Sequence, residues 1–241
     1  MARVGGWPVS IRVGTSGFSY AEWKGSFYPE DLPAKQMLRY YAERLTAVEI
    51  NNTFYRMPTD KLLAGWAEQV PADFAFVLKA PRRITHELRL RDAADTVRAF
   101  GERAAKLGPR LGPALFQLPP FFKKDLALLS EFLAAVPTGL RAAFEFRHES
   151  WLADDVYDAL RAREAALCIA EAEDFAVPLV ATAPWGYLRL RRQDYVDEDI
   201  AAWAERIRAQ PWSETYVFFK HEDRGAGPAL AARLMALLAG R

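Results

Sequence analysis

Apolar residues fall along this chain in two alternating rhythms. Short runs rich in β-branched and aromatic residues have the look of strands buried on both faces. They expect strands at 11–14, 47–51, 74–79, 114–118, 142–146, 166–170, 187–190 and 216–219. Between them, apolar positions recur at the three- and four-residue steps of a helix face. Ala34, Leu38, Tyr41 and Leu45 follow this spacing, and Thr59 is placed to cap a helix carrying Leu63, Trp66 and Val70. Asp92 is placed to cap the next, with Val97, Phe100, Ala104 and Leu107 inward. Leu129, Phe132, Leu133 and Val136 mark a fourth helix, and Val156 and Leu160 a fifth, starting near Ala153. Ile200, Trp203 and Ile207, then Leu230, Leu234 and Leu237, mark the last two. After the sixth strand Pro178 and Pro184 interrupt the pattern, and the helix there is poorly specified.

Strict alternation of strand and helix argues for a parallel sheet with helices outside it. Eight such units in 241 residues match the size of a single-domain TIM (β/α)₈ barrel over 1–241, with 1–10 as an N-terminal extension. A doubly wound open sheet is the alternative, but Gly-x-Gly-x-x-Gly is absent. An apolar fraction of 51% rules out a disordered chain. A net charge of +1 argues against a generally basic nucleic-acid coat and leaves room for a local basic patch. Cys168 is the single cysteine, which excludes an intrachain disulfide and a Cys-rich zinc site. Its place inside the sixth strand makes it a core residue. No apolar run reaches the ~18–20 residues of a membrane span. Residues 1–10 show no signal-peptide core, so the expected location is cytoplasmic.

In a barrel of this kind the site forms where strands end. Several chemistry-bearing residues sit at those positions. Gly14-Thr15-Ser16-Gly17-Phe18, Tyr20 and Trp23 follow the first strand, and Glu49 and Asn51 share a face of the second, before Phe54 and Tyr55. Lys79 ends the third, ahead of Arg82, Arg83 and His86. Gln117 ends the fourth, Glu145 and Arg147 share a face of the fifth, and His148 and Trp151 follow. Glu171 lies after the sixth strand, Arg189 and Arg191 on one face of the seventh, and Lys220-His221-Glu222-Asp223 after the eighth.

The stretches GTSGFSYAEWKGSFYPEDLP, VEINNTFYRMP, FVLKAPRRITHELRL, LFQLPPFFK and FEFRHESW resemble those of the DUF72, or YecE-like, family. The resemblance runs from Ile11 to about Leu238 and implies a TIM barrel, in agreement with the strand count. It implies no reaction. Two places depart from the commonest family pattern: Arg191-Arg192 stands where many members carry His-Gly, and Lys220-His221 where many carry an Asn pair.

The residues themselves lead to a barrel enzyme of hydrolase or isomerase type, its reaction unassigned, acting on an anionic substrate. A phosphorylated sugar or a phosphodiester is the class expected, because Arg supplies bidentate donors and Lys a point charge. Lys79, Arg82, Arg147 and Arg189 are the candidate anion ligands, with Asn51, Gln117 and His221 orienting the substrate. Tyr20, Trp23 and Tyr55 are candidate pocket aromatics, while most loop rings are expected to pack on one another. Glu49 and Glu145 are candidates for an acid–base pair, and His148 is favoured over His86 and His221 as proton carrier. The competing reading makes Glu49, Glu145 and Glu171 partners in ion pairs with these cations. No cofactor is implied. The oxygen and nitrogen donors Glu49, Glu145, Glu171, His148 and His221 are of types that hold a divalent metal, but no metal-binding spacing is present. The rival class is a non-enzymatic nucleic-acid binder whose basic surface spreads over the rim through Arg82, Arg83, Arg191, Arg192 and Arg224.

Overall fold

The computed structural model describes residues 3–4, 7–8, 10–172, 175–221 and 223–240. Eight parallel strands form the sheet: β1 Ser10–Ser16, β2 Ala47–Ile50, β3 Ala75–Lys79, β4 Leu111–Gln117, β5 Ala142–Glu145, β6 Ala166–Ala172, β7 Trp185–Leu190 and β8 Glu214–Phe219. Each pairs with the next, and β8 pairs with β1, so the sheet closes into a barrel with no free edge. The eight predicted strands all form, with ends that differ by a few residues.

Among the described residues, seven α-helices of six or more residues cover the outside: α1 Met37–Ala42, α2 Asp60–Ala67, α3 Ala94–Ala104, α4 Leu126–Ala135, α5 Asp154–Arg161, α6 Asp197–Arg208 and α7 Ala226–Leu238. None is long and apolar enough to cross a membrane. Their apolar stripes face the sheet, as with Val97, Phe100 and Ala104 on α3. Thr59 does cap α2, its Oγ1 accepting the Leu62 N–H at 3.3 Å. Asp125 caps α4 in the same way through Leu128.

Two local expectations are corrected. Asp92 does not cap α3: the N-cap is Ala93, with no side-chain bond. The approach to α3 is a π-helical turn, Arg83–Glu87, followed by left-handed backbone at Arg89, Leu90 and Asp92 (φ 49°, 71° and 47°), which puts Asp92 outside the cap geometry. Between β6 and β7, no described residue is helical. Phe175–Ala176 instead folds back antiparallel on Glu171–Ala172, and the chain runs on to Pro184 as irregular backbone. Of the 1–10 segment, Arg3–Val4 pairs antiparallel with Trp7–Pro8, while residues 1, 2, 5, 6 and 9 lie outside the described residues, as does Glu222.

A side chain of α1 bridges β1 and β2. The buried Tyr41 phenol of α1 accepts the Thr15 N–H at 2.8 Å and donates to the Ala47 carbonyl at 2.9 Å, bridging the two strands. Gly14 lies against the same carbonyl, and a Cβ there would sit 1.8 Å from it. Gly14→Ala must therefore push β1 off β2. The expected loss is on the order of 1–3 kcal/mol, as for other overpacked cores. Urea denaturation reads it; an unchanged midpoint would show that the strands separate there without cost.

Candidate functional site

Alternation along the strands turns charged residues toward the barrel axis near the C-terminal ends. Arg189 lies on β7 with 2% of its surface exposed, between Glu49 of β2 at 0% and Glu145 of β5 at 1%. Its Nη2 donates to Glu49 Oε1 at 2.8 Å, and its Nη1 to Glu145 Oε2. Every carboxylate oxygen has a donor. Glu49 Oε1 also accepts from Ser16 Oγ at 2.7 Å, and Oε2 from the Tyr187 hydroxyl at 2.6 Å. Glu145 Oε1 accepts from Arg147 at 2.9 Å and Arg191 at 3.1 Å, and Oε2 also from Gln117 Nε2 at 2.8 Å. Burial alone would raise the Glu145 pKa, but Arg189, Arg147, Arg191 and Gln117 overcome it and hold the carboxyl well below its usual range.

Gln117 reaches Glu145 because the two are partners in the β4–β5 register. Its amide oxygen accepts from Lys79 Nζ at 2.8 Å, so a neutral group stands between this lysine and the carboxylate. Lys79 Nζ also lies 4.1 Å from the centre of the Phe54 ring. Burial, with help from Arg189 and Arg147 and against Glu49 and Glu145, lowers the Lys79 pKa to about 8.

Above this layer opens a cavity of ≈ 550 Å³, in the range of small-molecule sites. Lys79, Arg82, His86, Arg147, Arg189 and Lys220 supply its charged and titratable lining, and Tyr20, Asn51, Phe54, Tyr55 and Gln117 the rest. A smaller cavity of ≈ 370 Å³ adjoins it, sharing Arg147 and lined by Arg191, Gln193 and Phe175. Another, of ≈ 620 Å³, opens at the opposite face beside Arg141 and Glu214, which are already paired with each other.

The structure thus gathers Tyr20, Asn51, Tyr55, Lys79, Arg82, Gln117, Arg147 and Arg189 around one cavity. Glu49 and Glu145 lie in the ion-paired layer with Arg189. Three other expected residues fall outside the cavity lining. Trp23 is fully buried in a stack with Tyr20, Phe27 and Tyr28, so its ring serves loop packing and not a pocket wall. His148 is held in a local turn, with Nδ1 accepting the Ser150 N–H at 3.1 Å. His221 donates from Nε2 to the Arg192 carbonyl at 2.6 Å. Glu171 is likewise occupied, accepting from Tyr195 and Trp203. Among the described residues, no three His, Cys, Asp or Glu side chains come together as a metal-binding set.

His86, and not His148, lines the cavity. The π-helical turn carries it into the cavity, edge-on to Phe54 at 4.9 Å. Burial, then Lys79, Arg147 and Arg82, lower its pKa to about 4, so the ring is neutral at pH 7. The spacing of His86 from β3 carries no sign of this turn. Arg191 joins the Glu145 network and Lys220 lines the cavity.

A family model described as "Protein of unknown function DUF72" matches residues 12–241. UPF0759 protein YecE of Escherichia coli (strain K12) is 36% identical over 117 residues, 48% of this chain and 43% of that protein. The match thus covers less than half the length of that relative. A DUF72 family protein of Thermotoga maritima superposes with a TM-score of 0.85 at 27% identity, over 95% of this chain and 99% of the other. One from Enterococcus faecalis, 22% identical, shares the fold at a TM-score of 0.74 over 97% and 98% of the two chains. With its closed eight-stranded barrel, this chain belongs to the DUF72 family.

Proposed function

We propose that the cavity at the C-terminal face is the substrate site of a TIM-barrel enzyme that takes a small anionic molecule, a phosphorylated sugar or other phosphate ester. The observation that carries this reading is the charge balance around the cavity. Glu49 and Glu145 already have their oxygens committed, while Arg147, Arg189, Arg191 and Lys79 together outnumber them. The surplus positive charge of Lys79, Arg147 and Arg189 faces a concave site, where charge-assisted bonds to one oxyanion can converge. Arg189 lines the cavity, and its buried Nε has no acceptor among the described residues.

In this reading Lys79, Arg82 and Arg147 grip the anion, and Asn51 and Gln117 orient it. Glu49 and Glu145 hold the cations in place and do not exchange protons themselves, because each is locked between donors. His86, neutral and in the cavity, replaces His148 as the proton carrier. The cavity volume supports a small ligand over the nucleic-acid alternative, which needs an extended basic face.

Binding of ribose 5-phosphate, measured by isothermal titration calorimetry, tests the proposal. Lys79→Met removes one charge-assisted contact of about 1.5–3 kcal/mol, so affinity should fall by roughly ten- to a hundredfold. Binding only to oligonucleotides, with a steep salt dependence, would overturn the small-molecule reading in favour of the binder.

Affinity should also fall as pH rises from 7 to 9. Lys79 is charged below about 8 and neutral above it, amid Glu49, Glu145, Arg147 and Arg189. A phosphomonoester is already dianionic there, its second pKa being ~6. The Lys79→Met profile should be flat across that window.

Glu145→Gln tests the anchoring role. It leaves buried Arg189 with one carboxylate partner, and the expected destabilisation is about 3–5 kcal/mol in urea. Wild-type stability combined with lost turnover would instead assign Glu145 to the chemistry.

A further inference from the structure

We infer that Lys79 is a nucleophilic amine that forms an imine with a small carbonyl compound in the 550 Å³ cavity. The inference rests on the anion-site reading above and narrows its substrate to a phosphate or carboxylate that also carries an aldehyde or ketone. Geometry sets Lys79 apart from an ordinary ion-paired lysine. Among the described residues it has no carboxylate within salt-bridge distance, although Glu49 and Glu145 lie in the layer beside it. Arginines and a tyrosine take up those oxygens first, and Gln117 is interposed, accepting from Lys79 at 2.8 Å while donating to Glu145 at 2.8 Å. The amine is thus held in position by a neutral acceptor, at a strand end, on the cavity wall.

Such an environment activates a lysine, because cationic neighbours and partial burial both favour the free amine. With the pKa lowered to about 8, a useful fraction is unprotonated near neutrality. The anion ligands Arg82 and Arg147 line the same cavity and would bring a charged substrate to the amine.

The step balances without a further reagent. The Nζ lone pair attacks the carbonyl carbon, a C–N bond forms, and the C=O π pair moves to oxygen. A proton passes from nitrogen to that oxygen, giving a carbinolamine. The nitrogen lone pair then expels the oxygen as hydroxide and leaves a protonated imine. His86 packs on the same Phe54 ring as Lys79 and is the neutral base in the cavity that can carry the proton. The protonated imine keeps the positive charge that the ammonium supplied.

The test uses the intact protein with pyridoxal 5′-phosphate and, separately, glycolaldehyde. Sodium borohydride adds hydride to any imine carbon and fixes the adduct as a secondary amine, which peptide mass spectrometry locates. At pH 7.5 Lys79 should be modified roughly ten times faster than exposed lysines such as Lys35 and Lys61. Its rate should be half-maximal near pH 8, the lowered Lys79 value. Lys79→Arg has no amine of this kind and should lose the adduct, whereas Lys35→Arg should leave labelling of Lys79 as in the wild type. Labelling of Lys79 no faster than of surface lysines, with either aldehyde, would overturn the inference. Failure of the two readings is distinguishable. If phosphate esters bind but no Lys79 adduct forms, the imine is wrong and the anion site stands. If glycolaldehyde labels Lys79 selectively and inorganic phosphate does not protect it, the amine is right and the anion site is wrong.

Discussion

A guanidinium buried at the axis of a barrel must be matched by opposite charge on more than one side. Arg189 is matched by Glu49 across one flank and Glu145 across the other, with both carboxylates as deeply buried as itself. Taking any one of these charges out of water costs several kcal/mol, and a half-broken set would leave that cost uncompensated. The arrangement joins β2, β5 and β7, strands that are not neighbours in the barrel, so it ties their ends to a common layer. Arg147, Arg191, Ser16, Tyr187 and Gln117 complete the layer by filling the remaining acceptor sites.

The chemistry of the cavity follows from that layer. Because the carboxylates are committed beside it, the cavity wall is left with cations and neutral polar groups. Gln117 is the point where the network could have delivered a negative charge to Lys79 and instead delivers an amide oxygen. Burial, joined by the same positive surroundings, keeps His86 neutral.

Around this centre the loops divide into two kinds. After β1, Phe18, Tyr20, Trp23, Phe27 and Tyr28 form a packed aromatic cap that meets Tyr40 and Tyr41 of α1. Only its inner edge, through Tyr20, reaches the cavity. After β3 the chain takes a π-helical turn and three left-handed residues, conformations that local propensity opposes. They persist because the turn is anchored by buried Ile84 and Thr85, and their effect is to bring His86 to the cavity wall.

By itself the sequence determined the eight strands, most of the helices and the barrel class, since strand and helix periodicities are local patterns and their strict alternation admits few topologies. It also determined which residue types stand at the strand ends, because side chains two apart share a face: Glu145 with Arg147, Arg189 with Arg191. Tertiary structure alone decided which of these meet. Glu49 and Arg189 are 140 positions apart, and only closure of the barrel sets them in one ion pair. Nothing local distinguishes His86 from His148, or a pocket Tyr20 from a buried Trp23. Their fates depend on loop backbone and on neighbours distant in sequence. The missing helix after β6 was partly legible in Pro178 and Pro184, whereas no strand-like run of apolar residues marks the antiparallel return of Phe175–Ala176 on Glu171–Ala172.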